Sequence, residues 1–146
     1  MTRTNPSPVT LAVWTGLIRA STDLQGRIEA ALQAQSLPPL AWYDALWEIE
    51  KAGADGIRPF ALQGRLLLPQ YGLSRLIDRM VKAGYVDRRA CDGDGRGQML
   101  HLTGAGAQVR AAMWPVYAAA LKGPVEDRLT EAEAQELARL VQRLIG

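Results

Sequence analysis

The sequence predicts a mainly helical chain interrupted once by a small β-hairpin. Three observations predict it. Apolar residues recur at steps of three and four along most of the chain. Prolines and glycines punctuate that pattern at intervals suited to separate helices. The helical period is lost between Gly84 and Thr103, where two extended runs flank the cluster "CDGDGRG".

The first helix is predicted over about 8–35. Ser7 can cap it, and Pro8 suits the first helical position, where a missing N–H costs nothing. Leu11, Trp14, Leu17, Ile18, Leu24, Ile28 and Leu32 carry its period. "SLPPL" at 36–40 breaks it, because a residue before proline avoids helical angles. A second helix is predicted over about 39–53, ending at Gly53, and "GADG" makes a turn.

Pro59 opens a short helix, about 59–66, with Phe60, Leu62 and Leu66 expected inward. Pro69 is expected to open the fourth, about 69–83, which stops at Gly84. Two short helices around a tight turn make a helix-turn-helix candidate. "YVDRRA" and "QMLHLT" then read as the two strands of a hairpin. Thr103 can cap a fifth helix, about 104–122. "KGPVEDRL" is expected to link it to a sixth, about 131–145, where Thr130 and Glu133 have capping-box spacing. Helix-turn-helix followed by hairpin is a winged helix.

Composition narrows the function. With 146 residues, 48% apolar and 22% charged, the chain suits one globular domain with a real core. The run Leu66–Leu68 falls far short of a membrane span, and "MTRTNPSPVT" has no apolar signal region. A cytoplasmic protein without membrane association is expected. One cysteine and one histidine exclude an internal disulfide and a four-ligand Cys/His metal site. Calcium fares no better: a loop starting at Asp92 would place Arg96 at an oxygen-ligand position and Thr103 where a bidentate glutamate belongs. With no phosphate loop and no Ser/His/Asp set, no enzyme, metal or cofactor is expected. Charge is uneven: residues 58–96 hold eight Arg/Lys against four Asp/Glu, and the remainder nine against eleven. A local basic excess suits a segment facing a polyanion.

On the fourth helix, Leu73, Leu76, Ile77, Met80 and Val81 share one face, opposite Tyr71, Ser74, Arg75, Asp78, Arg79 and Lys82. A helix anchored on one face and polar on the other fits a DNA major groove. Gln70, Tyr71, Ser74 and Arg75 are the candidates for base edges, with Arg75 able to bind guanine or phosphate. A solvated outer face is the competing explanation.

The stretch "SRLIDRMVKAGYVDRR…DGRGQMLHLTGAG" resembles the signature of the MarR family of bacterial transcription regulators. Ser74 to Asp78 match its first part; Gly84, Val86 and Arg88 match the approach to the wing. Asp94 and Arg96 match its D-x-R, and Leu102, Thr103 and Gly106 match its end. The resemblance runs over about 10–146. The chain departs from the pattern at Gly95, where the family has a second arginine, at Pro69, where it has a Ser or Thr cap, and at "ALQ" (61–63) in place of "ELA".

The resemblance implies a single domain over 1–146: a winged helix-turn-helix lobe over 37–103, with dimerisation helices over 8–36 and 104–146. It implies a homodimeric repressor on a pseudo-palindromic double-stranded operator, relieved by a small aromatic or phenolic effector. The implied DNA-binding set is Gln70, Tyr71, Ser74, Arg75, Arg79, Arg88 and Arg96. Arg96 would enter the minor groove from the wing tip. Gly93 and Gly95 would allow the tip to turn, and Asp94 would pair with Arg88. Leu137, Leu140, Val141, Leu144 and Ile145 are interface candidates, against the alternative of an intramolecular core. Trp14, Tyr43, Trp47 and Trp114 are candidates for an effector pocket, against ordinary core packing. Cys91, beside Arg88 and Arg89, is a candidate redox thiol, against an incidental surface cysteine. A different class of function, a winged-helix protein-interaction module with weak or no DNA binding, is also consistent with the modest charge excess, Gly95 and Pro69.

Overall fold

The computed structural model describes residues 4–90 and 97–146. Six α-helices and one two-stranded ribbon follow each other: α1 (Pro8–Ala34), α2 (Leu40–Ala52), α3 (Pro59–Arg65), α4 (Leu73–Lys82), β1 (Val86–Ala90), β2 (Gln98–Leu102), α5 (Gly104–Glu126) and α6 (Glu131–Ile145). The winged-helix order read from the sequence is the order observed.

The caps explain most of the boundaries. Ser7 Oγ accepts from Thr10 N–H at 3.1 Å, with Pro8 at the first turn of α1. Beyond Ala34, Leu37 N–H donates to Leu32 O and Ser36 N–H to Gln33 O, and Ser36 takes a positive φ of 55°. Proline at the N-cap of α2 offers no side-chain acceptor, so Glu29 of α1 accepts from Leu40 N–H instead. That bond ties α1 to α2. At the end of α4, Tyr85 N–H reaches Met80 O and Gly84 N–H reaches Val81 O, with Gly84 at φ 84°. This is the left-handed glycine stop that the sequence predicted.

Three expectations are corrected. Pro69 does not open α4: the helix starts at Leu73 with Gly72 as N-cap, so Gln70 and Tyr71 precede it. Phe60 is not inward; it is 88% exposed, while Leu62 carries the anchoring of α3. A seven-residue helix has room for one fully buried contact, and Leu62 holds it. Finally, α5 does not stop near 122 but runs through Pro115 and Pro124 to Glu126. Pro124 lies in the last turn, where the hydrogen bond it removes is among the most replaceable.

Two apolar clusters share α2. One joins Ala45, Leu46 and Ile49 to Ile57, Leu62, Val86, Leu100 and the buried face of α4. The other joins Ile28 and Leu32 of α1 to Leu40, Tyr43 and Met113. Val109 packs on both. β1 and β2 pair antiparallel, with Val86 opposite Leu102 and Arg88 opposite Leu100. A third edge comes from Ile57, which bridges Leu100 through bonds of 3.0 and 2.8 Å. Thr103 locks the return of the ribbon: its Oγ1 donates to Gly84 O at 2.6 Å and accepts from Gly106 N–H at 3.0 Å. No described helix is long and apolar enough to cross a membrane.

Candidate functional site

α4 divides into two faces. Leu73, Leu76, Ile77 and Met80 are buried, and Ser74, Arg75, Asp78, Arg79 and Lys82 are exposed. Arg75, Arg79 and Lys82 pair with no acid among the described residues. The single acid of this face, Asp78, is drawn sideways by Arg88 of β1. The result is a row of unneutralised cations along one helix, four and three residues apart.

Arg88 therefore sits where its partner is α4 and not only the hairpin. Asp94, the partner expected from the sequence, lies outside the described residues, as do Gly93, Gly95, Arg96 and Cys91. The Asp78–Arg88 bridge cross-links ribbon to helix at a partly exposed site, where such a pair contributes about 0.2–1 kcal/mol. Its effect is orientational. Asp78→Ala is expected to leave stability nearly unchanged in urea melts while loosening the angle between α4 and the ribbon, read as faster exchange of the β1 amides. Unchanged exchange would dismiss that role.

Tyr71 is fully exposed just before α4. Gln70 is half-buried and lines a small cavity with Gln25, Glu29 and Pro69. Of the residues expected on the groove-facing surface, Ser74, Arg75 and Arg79 share the helix face, and Tyr71 stands at its entrance. Gln70 faces the α1–α2 side.

The second feature is a cavity of about 740 Å³ between α2, α5 and the segment after α3. Tyr43, Trp47 and Trp114 line it, with Tyr117. Trp14 does not: it lies 63% exposed on the outer part of α1. Periodicity along α1 could not place Trp14, because the first half of that helix is exposed on every side among the described residues. The aromatic walls touch one another: Tyr43 stacks on Trp114 at 6.1 Å and meets Tyr117 edge-on at 5.0 Å.

Polar groups converge on this cavity that sequence reasoning had missed. Asp44 accepts from Leu67 N–H at 3.1 Å and Leu68 N–H at 2.8 Å, so the segment leading to α4 hangs from α2. Arg110 makes a two-pronged bond to Glu50, at 3.1 and 2.9 Å, with its guanidinium 4.8 Å from the Trp47 ring centre. The Glu50 hydrogen bond raises the Arg110 pKa further. Burial, then Tyr43 and Asp44, push the Tyr117 hydroxyl upward, so it remains a donor at neutral pH. Arg65, also lining the cavity, pairs with no acid among the described residues. Asp44 reaches its partners across 23 and 24 positions and Arg110 reaches Glu50 across 60, so no local spacing in the sequence could have announced these contacts.

The MarR family model matches residues 36–97, the helix-turn-helix and the first part of the wing. No curated protein matches the chain by sequence. Among solved structures, a MarR family transcriptional regulator from Streptomyces coelicolor in complex with DNA is similar at TM-score 0.85 and 26% identity, over 99% of this chain and 90% of that one. AbsC, another from S. coelicolor, is similar at 0.82 and 24%, over 99% and 96%. A MarR variant from E. coli complexed with operator DNA is similar at 0.80 and 22%, over 97% and 100%.

Proposed function

We propose that the chain, whose residues 36–97 match the MarR family model, is a MarR-type transcription regulator: a homodimeric repressor of double-stranded DNA, relieved by a small aromatic or phenolic ligand. The observation that carries the DNA-binding part is the division of α4: four apolar residues buried, three cations exposed and unpaired among the described residues, with the one intervening acid diverted to Arg88. The Streptomyces coelicolor regulator that is similar at TM-score 0.85 was crystallised in complex with DNA, which supports the same use here. Arg75, in the first turn of α4, is the candidate for guanine; Arg79 and Lys82 are better placed for phosphate.

The dimer rests on surface chemistry. α6 buries none of its residues, and Leu137, Leu140, Leu144 and Ile145 are all more than 40% exposed. Val9, Leu11, Val13, Trp14 and Ile18 of α1 are exposed as well. A monomer rarely leaves so many large apolar side chains of two helices in water. A two-fold copy would cover both helices and set two α4 helices for two half-sites.

The aromatic cavity suits a flat ligand, and its position suits relief. A ligand between Tyr43, Trp47 and Trp114 abuts Leu66–Leu68, the segment that Asp44 holds and that continues into α4. Binding there would bias the angle of α4 by moving the segment that precedes it.

The test is DNA selected from a random pool, measured by gel shift across salt concentrations and then with aromatic acids added. Arg75→Ala should cost about 1–3 kcal/mol at one base position and relax the preference there. Arg79→Ala should weaken all sequences alike and lower the salt slope by about one. Binding that ignores salt, or no selected sequence at all, would favour a protein-interaction role instead.

A further inference from the structure

We propose that Arg58, Arg89 and His101 form a second anion site, a groove on the outer face of the wing that grips a DNA phosphodiester. The proposal rests on the reading that the chain binds DNA, and it assigns a contact outside α4 and the wing tip.

The groove follows from the ribbon's register. Met99 stands opposite Arg89, and Ile57 bridges Leu100 in antiparallel sense. Arg58, one residue after Ile57, is thereby set beside Met99 on the other flank. Two arginines straddle one methionine, two strand spacings apart, or about 10 Å between their Cα atoms. Side chains of that length converge on a single phosphate. Val86 and Leu100 are buried against the lobe, so the alternating residues Arg89, Met99 and His101 belong to the opposite face. All three line one cavity of about 570 Å³ with Arg58 and Asp55.

His101 completes the floor. A Cβ built on Gly56 would lie 2.6 Å from His101 Nε2 and 2.9 Å from Leu100 O, with Gly56 at φ 73°. Only glycine leaves room for the imidazole to lie across this strand edge, which keeps the surface concave. Arg58 makes no ion pair among the described residues. Arg89 has only Asp87, at 3.8 Å with both side chains more than half exposed. A contact so long and so wet yields readily to a phosphate. Asp55 is the single carboxylate in the lining, so the two arginines leave a net positive groove.

Its place favours DNA backbone over a free anion. Arg58 immediately precedes α3, the first helix of the helix-turn-helix, and Arg89 lies on the outer half of the ribbon. A duplex seated on α4 and the wing brings its phosphates to that edge.

The experiment measures duplex affinity against salt for Arg58→Gln, Arg89→Gln, the double variant and the charge-keeping Arg58→Lys/Arg89→Lys. Each glutamine should lower the salt slope by about one per bound protomer, equally for all sequences. The lysine pair should retain the slope, and Arg128→Gln in the α5–α6 turn should leave it alone. His101 is the sole histidine, so its imidazole NMR signals report the groove directly. Duplex should shift them in the wild type and not in the double glutamine variant, with matched urea midpoints showing both folded. Inorganic phosphate at matched ionic strength, without DNA, should shift them far less. A larger shift with phosphate than with duplex would assign the groove to a free anion and overturn the proposal. Unchanged slopes in a wild type that binds DNA would also overturn it. Failure of the wild type to bind any duplex would instead overturn the functional reading on which the proposal rests.

Discussion

Gly106→Ala should destabilise the protein by about 2–3 kcal/mol, although alanine is the better helix former. The reason is a backbone contact that no rotamer change can relieve. A Cβ at Gly106 would stand 2.2 Å from Tyr85 O and 2.7 Å from a Leu102 methyl. Tyr85 cannot retreat, because it is held at both ends. Its N–H donates to Met80 O at 3.0 Å, closing α4, and its carbonyl accepts from Thr103 N–H at 3.1 Å. Making room therefore moves the end of α4 or the start of α5. Gly104→Ala is the matched control, since nothing lies within 4 Å of its Cβ position in the same helical turn. It should be neutral or add up to about 1 kcal/mol through helix propensity. Urea melts of the two variants decide the matter: equal effects would remove the contact from the explanation. Because Tyr85 follows α4 directly, the Gly106 variant should also bind DNA more weakly than its loss of folded fraction accounts for.

That same contact shows what was legible in the sequence. Leu102, Thr103 and Gly106 were recognisable as a motif, and Thr103 as a cap, because capping is local chemistry. Why the glycine must be there was not legible: its neighbour, Tyr85, is 21 residues away. The pattern repeats elsewhere. The buried face of α4 was readable from its 3.6-residue period, since all four of its fully buried residues follow from spacing. Its start was not. Pro69 looked like a first-turn proline, but α4 does not form before Leu73, and residues 67–68 are suspended from Asp44 across 23 and 24 positions. Phe60 failed for a related reason: in so short a helix, period cannot distinguish a buried phenylalanine from an exposed one. Three of four aromatic pocket candidates came together because α2 and α5 pack on each other. Trp14 stayed apart because the outer half of α1 packs against none of the described residues closely enough to be buried.

Leu137→Glu combined with Leu140→Glu should then convert the protein to a monomer and lower operator affinity by about 100-fold or more, with the winged-helix lobe still folded. The two leucines are 48% and 41% exposed on a helix that buries nothing within the chain, so glutamate at either position disturbs no internal core. The same helix is held in shape independently. Thr130 and Glu133 bond reciprocally at 3.1 and 2.9 Å, and this holds the Glu133 carboxyl below the usual range, chiefly through the Thr130 backbone N–H. α6 should accordingly survive the substitutions at neutral pH; the Glu133 contribution to the cap is fully present above the carboxyl's unfolded pKa and is lost as pH falls through its lowered folded value. Placed at a two-fold interface, four glutamates would face apolar surface or one another, a desolvation and repulsion cost that a dimer built from leucine contacts cannot offset. The expected loss in DNA affinity follows from linkage: two tethered lobes bind two half-sites at a high effective concentration, commonly worth 100- to 10,000-fold. Sedimentation should give the monomer mass, urea melts should retain the lobe's transition, and gel shifts should show weak binding that no longer depends on half-site spacing. A double variant that sediments as a dimer would place the interface elsewhere. A monomer with undiminished operator affinity would separate DNA binding from dimerisation and leave the exposed leucines of α6 to another partner.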